Sequence, residues 1–300
     1  MGIRAEVGVQ KRRHAQRIGL LNIIGGLFSV KKQVSKDIQD KIVYNYTVLN
    51  KGIAVSGKEF GLGMAATKTI LKDNGIRIRT QQESAVLSNK NRAKKINHDY
   101  FKTESSNMAY ILGLLASDGT VRKDINEIKL TLNEDDSEIL ERIKAELQFE
   151  GNVRHYEDSK GFKNATIAFT SAEIKKDLSK YNVVPQKTFT FTFPLMLDRR
   201  YWIDFIRGYF DGDGSISATA QGLRWQICSA TNNVLQTIVD FFYDEYNIPK
   251  VRIQSQQRSQ NMLYTIQYST NATKKIFDIL YTPNSLYLKR KYDKFVSIVK

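Results

Sequence analysis

Three hundred residues, 41% of them hydrophobic, suffice for two or three modest cores and are not the composition of a disordered chain. Forty-six Lys and Arg against thirty-one Asp and Glu leave a net charge of +15, which favours a polyanionic partner such as nucleic acid. Cys228 is the only cysteine and the histidines (His14, His98, His155) are scattered. That excludes a disulfide framework, a thiolate zinc site and a histidine-centred triad, so any metal site must use oxygen ligands.

The charge is uneven: residues 1–100 hold 19 basic and 7 acidic side chains, the remaining 200 hold 27 and 24. The first third therefore reads as an electrostatic anchor. Residues 1–35 are expected to form an N-terminal extension. Its apolar run, residues 18–28, follows Lys11-Arg12-Arg13 but is short and broken by Asn22 and three glycines. That excludes a convincing secretion signal and a membrane span, and the expected location is intracellular, with DNA.

Residues 36–99 read as a small all-α domain with a basic linker. Ser56 is placed to cap a short helix carrying Phe60, Gly61 to Gly63 form a turn, and Met64 to Asn74 form a second helix closed by Gly75. Ile70 and Leu71 would face the first helix, leaving Thr67, Lys68 and Lys72 exposed. The pattern resembles the helix-turn-helix family, whose second helix enters the major groove, and fits an ordinary αα-hairpin as well. Ile76-Arg-Ile-Arg79 and Asn89 to Lys95 look like a basic wing and linker able to track phosphates.

From Tyr100 the sequence repeats. Gly113 and Gly208 lie 95 positions apart, as do Asp118 and Asp213. Ile139, Leu140, Ile143 and Leu147 map onto Val234, Leu235, Ile238 and Phe242, a helical spacing in both copies. Before each helix an alternating strand is expected: Ile128, Leu130 and Leu132 against Lys129 and Thr131, then Leu223, Trp225 and Ile227 against Arg224 and Gln226. Further strands are expected at 152–156, 166–169, 250–254 and 264–268. The fold class is α+β: two pseudo-symmetric αββαββα repeats, 100–195 and 196–300.

Each repeat opens with an apolar helix ending in Asp-Gly, within Gly113-Leu-Leu-Ala-Ser-Asp118-Gly and Gly208-Tyr-Phe-Asp-Gly-Asp213-Gly. Small residues recur at i and i+4 (Gly113 and Ser117, Gly208 and Gly212), so the helices can pack with their backbones close. Asp118 and Asp213 would then meet at the helix C-termini, among free carbonyls, an oxygen-rich setting that suits Mg²⁺.

These motifs and their register resemble the single-chain LAGLIDADG homing endonucleases over about Tyr100 to Lys300. Copy one departs from the pattern at Ala116, where the family has its first acid; in copy two Asp211 fills that place, a structural one in the family. The resemblance implies a metal-dependent DNA endonuclease, using Mg²⁺ with Mn²⁺ as substitute, that makes double-strand breaks at a long, pseudo-palindromic target. It implies metal ligation by Asp118 and Asp213, a catalytic lysine in each copy (Lys187, and Lys291 with Lys289 as rival), and two sheets forming a saddle in the major groove. The outward residues would be Lys129, Thr131, Arg154, Tyr156, Arg224, Gln226, Arg252, Gln254 and Gln267, several of them types that read guanine and adenine. One chain would act as a monomer on double-stranded DNA. The alternatives are a transcription regulator with a non-catalytic LAGLIDADG domain, and a maturase whose partner is intron RNA.

Overall fold

The computed structural model describes residues 34–92, 94–220 and 222–299. The expected extension, residues 1–33 with the apolar run 18–28, lies outside them. The chain divides into two compact units between residues 92 and 93. Among the described residues no helix is long and apolar enough to cross a membrane.

The first unit contains α1 (Lys36–Thr47), α2 (Ile53–Lys58), α3 (Met64–Asp73) and α4 (Gln81–Arg92). Ile42, Tyr46, Ile70 and Leu71 form its core. The turn between α2 and α3 requires Gly61, whose φ of +71° lies in the left-handed region. Ser56 is not a cap: α2 starts three residues earlier, and Ser56 is buried inside it, donating to the Gly52 carbonyl.

The second unit carries the repeats, each a seven-element αββαββα unit. Repeat one is α5 (Ser106–Ser117), β1 (Gly119–Val121), β2 (Glu127–Asn133), α6 (Ser137–Glu146), β3 (Arg154–Glu157), β4 (Lys163–Thr170) and α7 (Ala172–Lys180). Repeat two is α8 (Trp202–Asp213), β5 (Gly214–Thr219), β6 (Gly222–Ser229), α9 (Asn232–Tyr246), β7 (Gln254–Arg258), β8 (Asn261–Tyr268) and α10 (Thr270–Leu280), followed by α11 (Lys289–Val299). Both sheets are antiparallel with equivalent orders, β1-β2-β4-β3 and β5-β6-β8-β7. Ile96 belongs to this core, and the Asn97 N–H donates to the Leu147 carbonyl at 2.8 Å.

The alternation in β2 and β6 does what a half-buried strand requires: Ile128, Leu130 and Leu132, and Leu223, Trp225 and Ile227, are buried while their neighbours are not. The second core is largely aromatic, with Phe210 stacked on Trp225 at 4.7 Å. The strand furthest from the sequence expectation is β7. It is Gln254–Arg258, not 250–254, and is exposed along its whole length. An edge strand with neither face in the core carries no apolar alternation, so its hairpin pairing with β8 sets its position.

Candidate active site

Helices α5 and α8 cross backbone to backbone. A Cβ on Gly113 would lie 2.1 Å from the Phe205 carbonyl oxygen, and one on Gly208 would lie 2.0 Å from that of Tyr110. One turn on, a Cβ on Gly212 would lie 1.9 Å from Ser117 Oγ and 2.9 Å from Asp118 Oδ2. The small residues picked out by spacing are thus the seam itself. Because no side chain separates the helices there, the Asp118 carboxylate reaches the backbone of the residue preceding Asp213. Asp118 is the C-cap of α5 and Asp213 the last residue of α8, so both stand at helix ends rich in carbonyls.

Each of these aspartates reaches solvent on one side and is walled by protein on the other. Loss of water on the walled side raises both carboxyls. Asp213 is pushed up to about 6, first by burial and then by the negative charge of Asp118, against the opposing pull of Lys291 and Lys187. A cation between the two carboxylates would offset the cost that burial imposes on both and that the charge of Asp118 adds on Asp213. Among the described residues no three His, Cys, Asp or Glu side chains converge to hold a metal alone. The pair fits a divalent ion of the Mg²⁺ kind, which keeps several waters and takes further oxygens from a substrate phosphate.

Both predicted lysines are buried beside the pair. Lys187, in a short 3-10 turn after α7, donates to the Gly119 carbonyl at 2.6 Å. Lys291, in the first turn of α11, donates to the carbonyls of Phe210 at 2.6 Å and Gly214 at 2.7 Å. Gly119 and Gly214 are register partners, so each lysine closes off the carbonyl that follows its own aspartate. Burial lowers both ammonium groups, Lys291 to about 8. Lys289, the rival, is exposed and pairs with Asp293.

Asp211 is buried and accepts from the Tyr110 hydroxyl (2.9 Å), the Tyr281 hydroxyl (3.0 Å) and the Leu288 N–H (2.7 Å). It ties α5 of the other repeat to the segment entering α11, so it positions Lys291 and leaves no face for a ligand. Sequence reasoning missed Tyr209. Its hydroxyl donates to Ser229 Oγ at 3.2 Å, and its proximity lowers the Asp213 carboxyl against the stronger upward push of burial. The register position in copy one is Leu114, so that repeat supplies no phenol there. A tyrosine one turn before an acid in α8 was the available signal.

On the sheets, pleat and pairing put the predicted reading residues on the faces opposite the core. Thr131, Thr166 and Arg154 form one row across β2, β4 and β3, with Thr131 and Thr166 hydroxyls 2.9 Å apart. Ser215, Gln226 and Gln267 form a row in the second sheet, and Cys228, Thr265 and Gln254 the next. Lys129, Tyr156 and Arg224 share these faces. Arg252 does not: it is exposed in the irregular segment before β7, outside the ladder, because the strand starts two residues later.

The first unit corrects two further expectations. Thr67 is fully buried, its hydroxyl on the Gly63 carbonyl and its side chain filling the space that a Cβ on Gly57 would need, so it is a packing residue between α2 and α3. Lys68 and Lys72 are exposed on α3. Of the basic wing, Arg79 is used inside the fold, stacked 3.8 Å over the Tyr46 ring and donating to the carbonyls of Tyr46 and Lys51, while Arg77 pairs with Glu83 and stays exposed.

Fold and site together define a pseudo-two-fold α+β protein with one carboxylate and one buried lysine from each half at the crossing of its motif helices. No protein-family profile matches the chain. It is 28% identical over 164 residues to an uncharacterized protein of Methanocaldococcus jannaschii, and this match spans 52% of the chain and 56% of that relative's length. Among solved structures it is similar to the N-terminal LAGLIDADG domain of WhiA, at 14% identity over 66% of this chain and 92% of that one, with a TM-score of 0.41. It is also similar to the homing endonuclease I-DmoI solved in complex with DNA and Ca, at 14% identity over 67% of this chain and 99% of that one, with a TM-score of 0.43.

Proposed function

We propose that this protein is a site-specific, metal-dependent double-strand DNA endonuclease of the LAGLIDADG homing type, acting as a monomer on DNA inside the cell. The observation that carries the reading is the meeting of Asp118 and Asp213 at the α5–α8 crossing with Lys187 and Lys291 buried beside them. A divalent ion, Mg²⁺ or Mn²⁺, would supply a more acidic water and charge neutralisation at the scissile phosphates. Asp118 and Asp213 would hold it, one from each repeat. Lys187 and Lys291 keep positive charge next to phosphate where negative charge develops. Because one chain supplies both halves, no second copy is required.

The outward faces of the two sheets, with Lys129, Arg154, Tyr156, Gln226, Gln254 and Gln267, would read base edges in the major groove. The repeats differ at positions matched by strand pairing, Lys129 against Gln226 and Thr131 against Cys228, which favours an imperfect palindrome. Lys68 and Lys72 on α3 would add phosphate contacts from the first unit. The test is selection of cleaved sites from a plasmid library with Mg²⁺ or Mn²⁺, repeated with Asp118→Asn and Asp213→Asn. Linear product at one sequence class, lost in both variants while DNA affinity persists, is the expected result. Binding without cleavage by the parent chain would leave a DNA-binding regulator.

A further inference from the structure

The two repeats differ beside their aspartates. β5 runs six residues from Gly214, whereas β1 stops after three, at Val121. The chain then turns through Arg122, Lys123 and Asp124 directly next to the active site. This turn and the segment that positions Lys187 enclose a cavity of about 340 Å³, with Thr120, Arg122, Lys123, Pro185, Gln186 and Thr188 among its walls. Neither Arg122 nor Lys123 has an ion-pair partner among the described residues, and Asp124 is the single acid on the rim. The register positions in repeat two are Ser217 and Ala218, so neither Arg122 nor Lys123 has a basic counterpart at its own position; the basic residue of that hairpin, Arg224, lies on β6 opposite Ser217.

The cavity is held open by its backbone. Lys175 donates to the carbonyls of Lys123 and Ile125, and the Arg122 N–H donates to the Glu127 carbonyl. On the opposite wall Gln186 adopts a left-handed backbone, φ 58°, a conformation held against local preference that turns Lys187 inward and leaves the Gln186 side chain exposed. Two unpaired cations on a braced turn, with half-buried Val184 and Pro185 on the facing wall, suit an anion attached to an apolar ring edge. A DNA phosphodiester with its deoxyribose has that chemistry.

We infer that this cavity is a backbone-phosphate subsite present on the repeat-one side only, gripping the DNA next to the scissile phosphate served by Asp118. The inference rests on the reading of the sheets as a DNA platform. It makes the enzyme's hold on its two strands unequal independently of base sequence, because phosphate contacts position a duplex without reading it.

The test uses the full chain in EDTA with a fluorescein-labelled duplex of about 40 base pairs of arbitrary sequence. Anisotropy binding curves are recorded from about 50 to about 200 mM KCl, a range over which each phosphate contact contributes about 0.9 to the slope of log K against log salt. Arg122→Gln and Lys123→Gln are each expected to reduce that slope by about one. Lys176→Gln, the same charge change on an exposed part of α7, should leave it unaltered, and Arg122→Lys should restore most of the loss. Parent-like slopes in both cavity variants, with Lys129→Gln reducing the slope, overturn the subsite and leave the DNA platform standing. No salt-dependent binding by the parent chain overturns both. Tighter binding to an RNA duplex of the same sequence, with the slope loss confined to it, overturns the assignment to DNA.

Discussion

Gly208 and Tyr110 meet backbone to backbone across the two repeats: a methyl group on Gly208 would lie 2.0 Å from the Tyr110 carbonyl oxygen. Gly113 makes the reciprocal contact with Phe205. The site proposed at this crossing depends on that closeness, because it brings the carboxylate of one repeat to the backbone of the other.

Gly208→Ala and Gly113→Ala are therefore expected to destabilise the second unit by about 3 kcal/mol or more, since the obstructing atoms are backbone and cannot rotate away. Urea unfolding followed by circular dichroism measures it. A loss below about 0.5 kcal/mol in both variants would mean the helices do not cross this closely.

The pH dependence follows from Asp213, held up to about 6 by burial and then by Asp118. A carboxyl whose pKa is higher folded than unfolded stabilises the fold at acid pH, and that contribution disappears as pH rises through about 6. Without metal, Asp213→Asn should melt roughly 2 °C above the parent at pH 7.5, solvent contact keeping the effect small, and the gap should close near pH 4. The rise in the parent's melting temperature on adding Mn²⁺ should grow from pH 5 to 7, because the proposed ion would bind the ionised pair, and should be largely absent in the variant.

Lys291 and Lys289 separate by burial. Lys291→Met is expected to lower cleavage about 100-fold or more while duplex affinity in EDTA changes less than about threefold. Lys289→Met, on the solvent side of α11, should stay within about twofold of the parent. Cleavage by the parent should decline above pH 8, where Lys291, lowered by burial to about 8, loses its proton. Equal effects in the two variants would remove Lys291 from the site.

Removal of residues 1–92 should preserve cutting and reduce both affinity and its salt dependence, as gel-shift and cleavage assays would report. The cut belongs at 92 because Ile96 and Asn97 are built into repeat one. Removing residues through 97 should cost stability as well.

The sequence alone determined the repeat, the αββαββα order of each copy and the helix seam. Those signals are local periods or a register: alternation in β2 and β6, helical spacing in α6 and α9, glycines four residues from a small partner, and aspartates 95 positions apart. Two positions it misassigned were local guesses about a global property. Thr67 looks like a surface residue until Gly57 on another helix takes its side chain, and Arg79 looks like a phosphate contact until Tyr46, 33 residues earlier, provides a ring and a carbonyl. Only the tertiary structure chose Lys291 over Lys289, since two residues along a helix turn the side chain from carbonyls to water. It alone set β7, whose place comes from pairing and not from burial, and showed Asp211 tied to three donors and Tyr209 beside Asp213. Periodicity records which face of an element is apolar; which distant atoms meet there depends on how the elements pack.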